Sequence, residues 1–507
     1  MVGRIRSLGL IGIHGYTVAC ECSLAPGLPS FDVVGLPDAA VKESRERVRA
    51  AARSMNLAFP RQRIVINLAP ADTRKNGTIY DLPILLGILS ASGEFPEMPD
   101  DCAFFGELSL SGELRRANGA LPMALAAEKA GIRRLFVPAD CAGEAAYAEN
   151  VEVYPAESVD DILRHFDKYS DFEITPVAPR AIVRSEEYPI CLSDVRGQSF
   201  CKRALEIAAA GGHNILMTGT PGSGKSMMAK RMPSIMPDMT RTECIEATEI
   251  YSVAGLTSRE KPIITERPFR APHHTISLAA LSGGSAVPRP GEISLSHNGV
   301  LFLDELPEFP GIILEGLRAP LEDGTVTVAR AAASVTYPCR FVLVAAMNPC
   351  KCGWHGHKSG KCTCSPEAVR RYRERLSGPL LDRIDMFVEV ESLEWKDMES
   401  RPVSETSAVV RERVNAARQL QQARFAGSPA ECNGQATSVQ VEEFCALDEK
   451  SRDLMKRAFT RFNLTARSHD KILRVARTIA DLAGSAEIQY EHLAESLQYR
   501  SGMEEIS

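Results

Sequence analysis

Short apolar runs and amphipathic stretches alternate over residues 1–168. Arg63-Ile-Val-Ile-Asn67 and Leu135-Phe-Val-Pro138 read as strands, and residues 39–55 and 122–131 read as helices. That alternation predicts an α/β or α+β domain. Residues 169–191 lose the pattern, mixing charges with Pro176 and Pro179, and predict a linker. Over residues 192–392 β-rich apolar runs return, separated by helical stretches, as in a parallel sheet wrapped by helices. A polar stretch at 394–405 then leads into a mostly helical tail, so residues 393–507 are expected to form a helical lid.

The pattern also excludes some classes. No window approaches the roughly eighteen uninterrupted apolar residues of a membrane span, so no membrane partner is expected. Arg4 and Arg6 followed by LGLIGIHGYTVA imitate a signal peptide, but His14 interrupts the apolar run, which reads better as an opening strand and turn. The 44% apolar and 24% charged composition is that of a globular protein. A net charge of −6 gives no global attraction to nucleic acid, so any such contact must be local. Fourteen cysteines without a leader argue for thiols in a reducing compartment, and a cytoplasmic location is expected.

Chemistry enters at Gly219-Thr220-Pro221-Gly222-Ser223-Gly224-Lys225-Ser226. These residues follow the apolar run Ile215-Leu216-Met217 and open a helix, matching G-x-x-x-x-G-K-[ST] in its strand-loop-helix setting. Successive backbone N–H groups there can point at the β-phosphate of ATP, with Lys225 reaching the β- and γ-phosphates and Ser226 ligating Mg²⁺. The run Gly299-Val-Leu-Phe-Leu-Asp304-Glu305 is a buried strand that releases two carboxylates, a Walker B arrangement. Asp304 is expected to hold Mg²⁺ and Glu305 to orient or deprotonate the attacking water. A second buried strand ends at Asn348, whose amide suits a sensor of the water or γ-phosphate.

Residues 267–277 (RPFRAPHHTIS), 288–309 (PRPGEISLSHNGVLFLDELPEF), 317–331 (LRAPLEDGTVTVARA) and 377–390 (SGPLLDRIDMFVEV) closely resemble the magnesium-chelatase-like AAA+ ATPases, and within them the YifB/ComM group. The segment LEDGTVTVARA also resembles the MCM replicative helicases. This resemblance implies a homohexameric ring with ATP sites at subunit boundaries. Arg383 occupies the family's arginine-finger motif; its alternative is a helix-end salt bridge with Asp382 or Asp385. Arg467 resembles the sensor-2 position, with Arg474 as runner-up, and Val195 and Gln198 resemble the entry to the adenine pocket.

Cys350, Cys352, Cys362 and Cys364 fall within a Cys-rich insertion at 350–364, beside His355 and His357. Four thiolates in a short loop suit a tetrahedral Zn²⁺ site, with either histidine as a substitute ligand. Free thiols and redox chemistry are the alternatives, because C-x-C is less diagnostic than C-x-x-C. Residues 351–375 carry seven Lys or Arg against two Glu, which makes the insertion either a DNA-backbone contact or a solvated charged loop. Arg267, Arg270 and Arg330 are further candidates for a pore surface.

The amino-terminal segments around residues 75–83, 106–112 and 118–123 are similar to the proteolytic domain of the Lon peptidases, implying a fold like domain 2 of ribosomal S5. Ile79 stands where that family has its nucleophilic serine and Met123 where it has its lysine, which excludes a Ser/Lys mechanism. Ser90 and Ser92 lie on an apolar helical run and read as structural. The expectation is thus an α/β chain in four parts: a Lon-protease-like domain without its dyad at 1–168, a linker at 169–191, an AAA+ domain at 192–392 and a helical lid at 393–507. Its expected function is that of an ATP-driven motor on branched or single-stranded DNA, a branch-migration helicase serving natural transformation or recombination. A chelatase-like ATPase that remodels a protein partner is the alternative.

Overall fold

Strand Val2–Ile11 pairs with strand His14–Ala25 in unbroken antiparallel register from Val2 opposite Ser23 to Ile11 opposite His14. Gly12 turns the chain with φ 61, a conformation that favours glycine. The segment that imitates a leader is therefore a buried hairpin, with Ile5, Leu8 and Val18 at or below 1% exposure. In the computed structural model the described residues are 2–178, 181–182, 188–284, 288–330, 333–392, 405–462 and 464–501. Of the expected linker, residues 179–180 and 183–187 lie outside them, as do residues 393–404 of the polar stretch and the side chain of Arg330.

The chain divides into two compact units, Met1–Val183 with Arg241–Ile264, and Arg184–Thr240 with Thr265–Ser507. In the first, the hairpin is extended by strand Arg63–Ala69, antiparallel to His14–Ala25, and by Phe31–Val34, parallel to Arg63–Ala69. A second sheet holds three parallel strands, with Arg134–Pro138 between Cys102–Phe104 and Glu152–Ala156. Helix Ala39–Ser54 starts where the Asp38 carboxylate accepts the Val41 N–H at 2.8 Å. Helix Asp81–Ser92 is apolar on nearly every face and is correspondingly buried. Ile79 (8% exposed) and Met123 (0%) both belong to this core. The Ser92 hydroxyl donates to the Leu89 carbonyl at 3.0 Å.

The sequence reading runs the ATPase domain unbroken from 192 to 392, whereas residues Arg241–Ile264 leave it and join the first unit. A buried carboxylate holds them there. Glu144, 1% exposed, accepts from Arg116 Nη2 and Thr257 Oγ1, both at 2.8 Å, from the Leu121 N–H at 3.0 Å and from the Ser252 hydroxyl. A charge so buried persists only with this many donors.

In the second unit five parallel strands run in the order Phe269–Arg270, Val300–Leu303, Val342–Met347, Ile215–Gly219, Met386–Val390. Val300–Leu303 and Val342–Met347 are buried at every position, as strands covered on both faces must be. The helices Ser407–Arg424, Ala466–Leu482 and Tyr490–Ser501 follow in the tail. Polar contacts fasten the tail to the sheet domain: Lys471 Nζ lies 3.1 Å from Asp385, and His213 Nε2 lies 2.7 Å from Thr478 Oγ1. Asp385 also accepts the Asn214 N–H at 2.9 Å. No helix among the described residues is long and apolar enough to cross a membrane.

Candidate nucleotide site and thiol cluster

Parallel strands release their carboxyl ends at one edge of the sheet, and Lys225, Ser226, Asp304 and Asn348 collect there. Strand Ile215–Gly219 delivers the glycine-rich loop, and helix Lys225–Ile235 begins directly after Gly224, whose φ of 97 lets the chain turn into the helix. Lys225 is 8% exposed. Its Nζ donates to the carbonyls of Gly219 (2.7 Å) and Thr220 (2.9 Å) and to Asn348 Oδ1 (3.2 Å). Burial lowers its pKa, and the charges of Asp304 and Glu305 oppose that shift. The Ser226 hydroxyl donates to Asp304 Oδ2 at 2.5 Å. Lysine, hydroxyl, two carboxylates and amide thus meet from three separate stretches of chain.

Glu305 has a left-handed backbone, φ 53 and ψ 46. For a non-glycine residue this costs on the order of 1–3 kcal/mol. The Glu305 N–H donates to Asp304 Oδ1 at 2.9 Å, which helps hold the turn. One neighbour of this carboxylate escaped the sequence reading: His274 Nδ1 lies 3.6 Å from Glu305 Oε2, too long for a hydrogen bond but close for an ion pair. His274 is packed by the His273 ring, centroids 4.0 Å apart, and by the edge of Phe309. The signal was present, since tandem histidines follow strand Phe269–Arg270, which pairs in parallel with the strand that delivers Asp304.

A cleft is lined by Leu192, Val195, Gly197, Lys202 and Val410. The Gln198 amide donates to the Glu391 carbonyl at 2.6 Å. Arg383 stands elsewhere. With Arg467, Arg474, Lys471 and Glu322 it lines a second cleft to which the glycine-rich loop contributes nothing. Its guanidinium pairs with Glu322, not with Asp382 or Asp385, and donates to the carbonyls of Pro379 (2.7 Å) and Arg318 (3.1 Å). Two pore candidates are occupied internally. Arg267 is 7% exposed and donates to the carbonyls of Pro237 and Asn298, while Arg270 grips Glu292 at 2.6 and 2.7 Å.

Following Asn348, the thiols of Cys350, Cys352, Cys362 and Cys364 converge, with all four sulfurs within 4.8 Å of one another. Cys350 Sγ lies 3.3 Å from Cys352 Sγ and 3.8 Å from Cys362 Sγ, and Cys352 and Cys362 are 3.6 Å apart. Sulfurs about 2.3 Å from a tetrahedral Zn²⁺ would stand about 3.8 Å apart, whereas a disulfide needs about 2.05 Å. The donor set therefore fits zinc. Hydrogen bonds from the backbone of Thr363 and of Trp354 hold the Cys352 thiol well below its usual range. His355 and His357 do not join the cluster, and His357 Nδ1 instead pairs with Ser359 Oγ at 2.7 Å.

Three models of magnesium-chelatase components match the chain in succession: the subunit ChlI models at residues 20–141 and 191–398, and the ChlI C-terminal model at 404–500. The competence protein ComM of Haemophilus influenzae is 41% identical over 503 residues, covering 98% of this chain and 97% of that protein. The Escherichia coli protein YifB is 40% identical over 500 residues, covering 98% of this chain and 96% of that protein. A Lon protease of Acinetobacter baumannii is 28% identical over 174 residues, 32% of this chain and 21% of that protein.

Proposed function

Because the chain belongs to the YifB/ComM family of magnesium-chelatase-like AAA+ ATPases, we propose that it is a homohexameric ATP-driven motor on DNA, a branch-migration helicase serving natural transformation or recombination. The observation that carries this reading is the separation of the catalytic groups into two sets. Lys225, Ser226, Asp304, Glu305 and Asn348 form one half of a phosphoryl-transfer site. Arg383 and Arg467 lie together in the other. A ring in which each protomer presents the Arg383 cleft to its neighbour's phosphate loop completes the site at every boundary.

In that site the loop N–H groups and Lys225 bind the triphosphate, and Ser226 and Asp304 hold Mg²⁺, which supplies charge neutralisation at the phosphates. Asn348 and Glu305 position the attacking water, with Glu305 accepting its proton. Val195 lies in the cleft that suits the adenine, while Gln198 fastens that cleft's rim to the chain beyond strand Met386–Val390. Arg383 from the neighbour neutralises the charge that develops at the γ-phosphate, and Arg467, on the tail helix Ala466–Leu482, couples phosphate loss to movement of the tail. Branch migration exchanges equivalent base pairs, so the net cost is small, although each opened step forfeits about 1.4 kcal/mol of stacking. The basic insertion at 351–375, where Lys361 Nζ sits 4.9 Å above the Trp354 ring, supplies a surface for the phosphate backbone.

The test is ATP turnover and strand exchange by the purified protein on four-way, forked and duplex DNA, with Lys225→Ala as the inactive control. Stimulation by branched DNA with junction movement is the expected result. Turnover indifferent to every DNA but raised by an unfolded protein would replace this reading with chelatase-like protein remodelling. His274→Ala, which frees the Glu305 carboxylate, is expected to lower turnover by up to about 10²-fold while nucleotide affinity holds, as read by single-turnover hydrolysis and fluorescent-nucleotide titration.

A further inference from the structure

The thiol cluster and the phosphate loop touch. Gly353, between the two halves of the cluster, has φ 84 and packs so closely on Pro221 that a Cβ there would lie 2.5 Å from Pro221 Cγ and 2.6 Å from Cδ. The same Cβ would stand 3.8 Å from the Asn348 side chain. The Gly353 N–H donates to the Cys350 carbonyl at 2.9 Å, so the turn resting on the loop is closed by a cluster residue. Cys350 itself is 0% exposed and follows Asn348, which touches Lys225, by only Pro349. The insertion has little apolar content with which to hold this turn in place, and Gly356 and Gly360 add positive-φ bends with open space around them.

We propose that the four cysteines form a zinc clamp that seats Gly353 on Pro221, so that zinc occupancy and nucleotide binding are thermodynamically coupled. This rests on reading the cluster as a zinc site. Four cysteine sulfurs within 4.8 Å of one another, three of them 3.3–3.8 Å apart, offer the donors of one shared cation. When the cation leaves, the turn loses its order, Pro221 loses the surface against it, and the strand end carrying Asn348 loses its anchor. Linkage makes the effect reciprocal: whatever factor zinc adds to nucleotide affinity, nucleotide adds to zinc retention.

The experiment uses the full-length protein purified with zinc, whose metal content is measured by mass spectrometry. Zinc transfer to a chromophoric chelator, in excess Mg²⁺, is followed with and without a slowly hydrolysed ATP analogue. The expected result is one zinc per chain, released about tenfold less readily with the analogue bound, within the usual range for coupled sites. Cys362→Ser, which removes one ligand, is expected to lower affinity for a fluorescent ATP analogue by a similar factor. Pro221→Ala keeps every ligand and is expected to retain zinc while losing most of the protection. A wild type that carries zinc but releases it equally with and without nucleotide overturns the coupling and leaves the zinc site standing. Cys362→Ser protein that lacks zinc yet binds nucleotide as the wild type does has the same consequence. A wild type with no zinc overturns both.

Discussion

Arg383→Ala is expected to lower ATP turnover by ~10³ to 10⁵-fold, with each protomer still binding nucleotide. The guanidinium lines a cleft with Arg467 and Glu322, to which the glycine-rich loop contributes nothing, so in the proposed ring its effect on hydrolysis comes through a neighbouring copy. Two backbone carbonyls and Glu322 hold it in position. Mixing supplies the decisive measurement. Arg383→Ala protomers retain an intact phosphate loop, and Lys225→Ala protomers retain an intact Arg383. Each is inactive alone, yet in mixed rings the first can hydrolyse at a boundary completed by the second. Recovered turnover on mixing is the expected outcome. If mixtures stay as inactive as their components, or if Arg383→Ala protein hydrolyses normally, the boundary site is wrong.

The second large effect is expected from Glu305→Gln, a fall in hydrolysis of ~10² to 10⁴-fold, the range for loss of a positioned general base. The amide keeps the size of the side chain and the N–H···Oδ1 contact to Asp304, but it cannot take up a proton. Lys225, Ser226 and Asp304 remain untouched, so ATP binding should persist and the variant should accumulate in its ATP-bound state. Single-turnover hydrolysis beside fluorescent-nucleotide titration separates the two steps. Hydrolysis at the wild-type rate would remove Glu305 from the chemistry and leave the strain in its backbone without a catalytic use.

Local patterns made much of this protein legible. The glycine-rich loop reads directly because its spacing, its preceding strand and its following helix are contiguous. Asp304 and Glu305 read because a buried strand must end somewhere, and acids at its end are conspicuous. The opening hairpin was visible through His14, and the apolar side chains of Ile79 and Met123 are both buried in the core. The cysteine spacing marked a cluster and favoured its four thiols, with two histidines of the same loop as substitutes, and the fold brings the four thiols together without either histidine.

Composition, spacing and motif along the chain were therefore enough to indicate an ATPase of this family with a parallel-sheet domain and a thiol-rich insertion. Folding in three dimensions settled the pairings that depend on distant segments meeting. It put His274 beside Glu305, because two parallel strands end at one edge. It gave Arg383 to Glu322 rather than to its sequence neighbours, carried residues Arg241–Ile264 out to the buried Glu144, and set Gly353 on Pro221. The reason is common to all four: backbone propensity and apolar period act over a few residues, whereas a buried charge or a close backbone approach is satisfied by whichever group the packed sheet brings within reach.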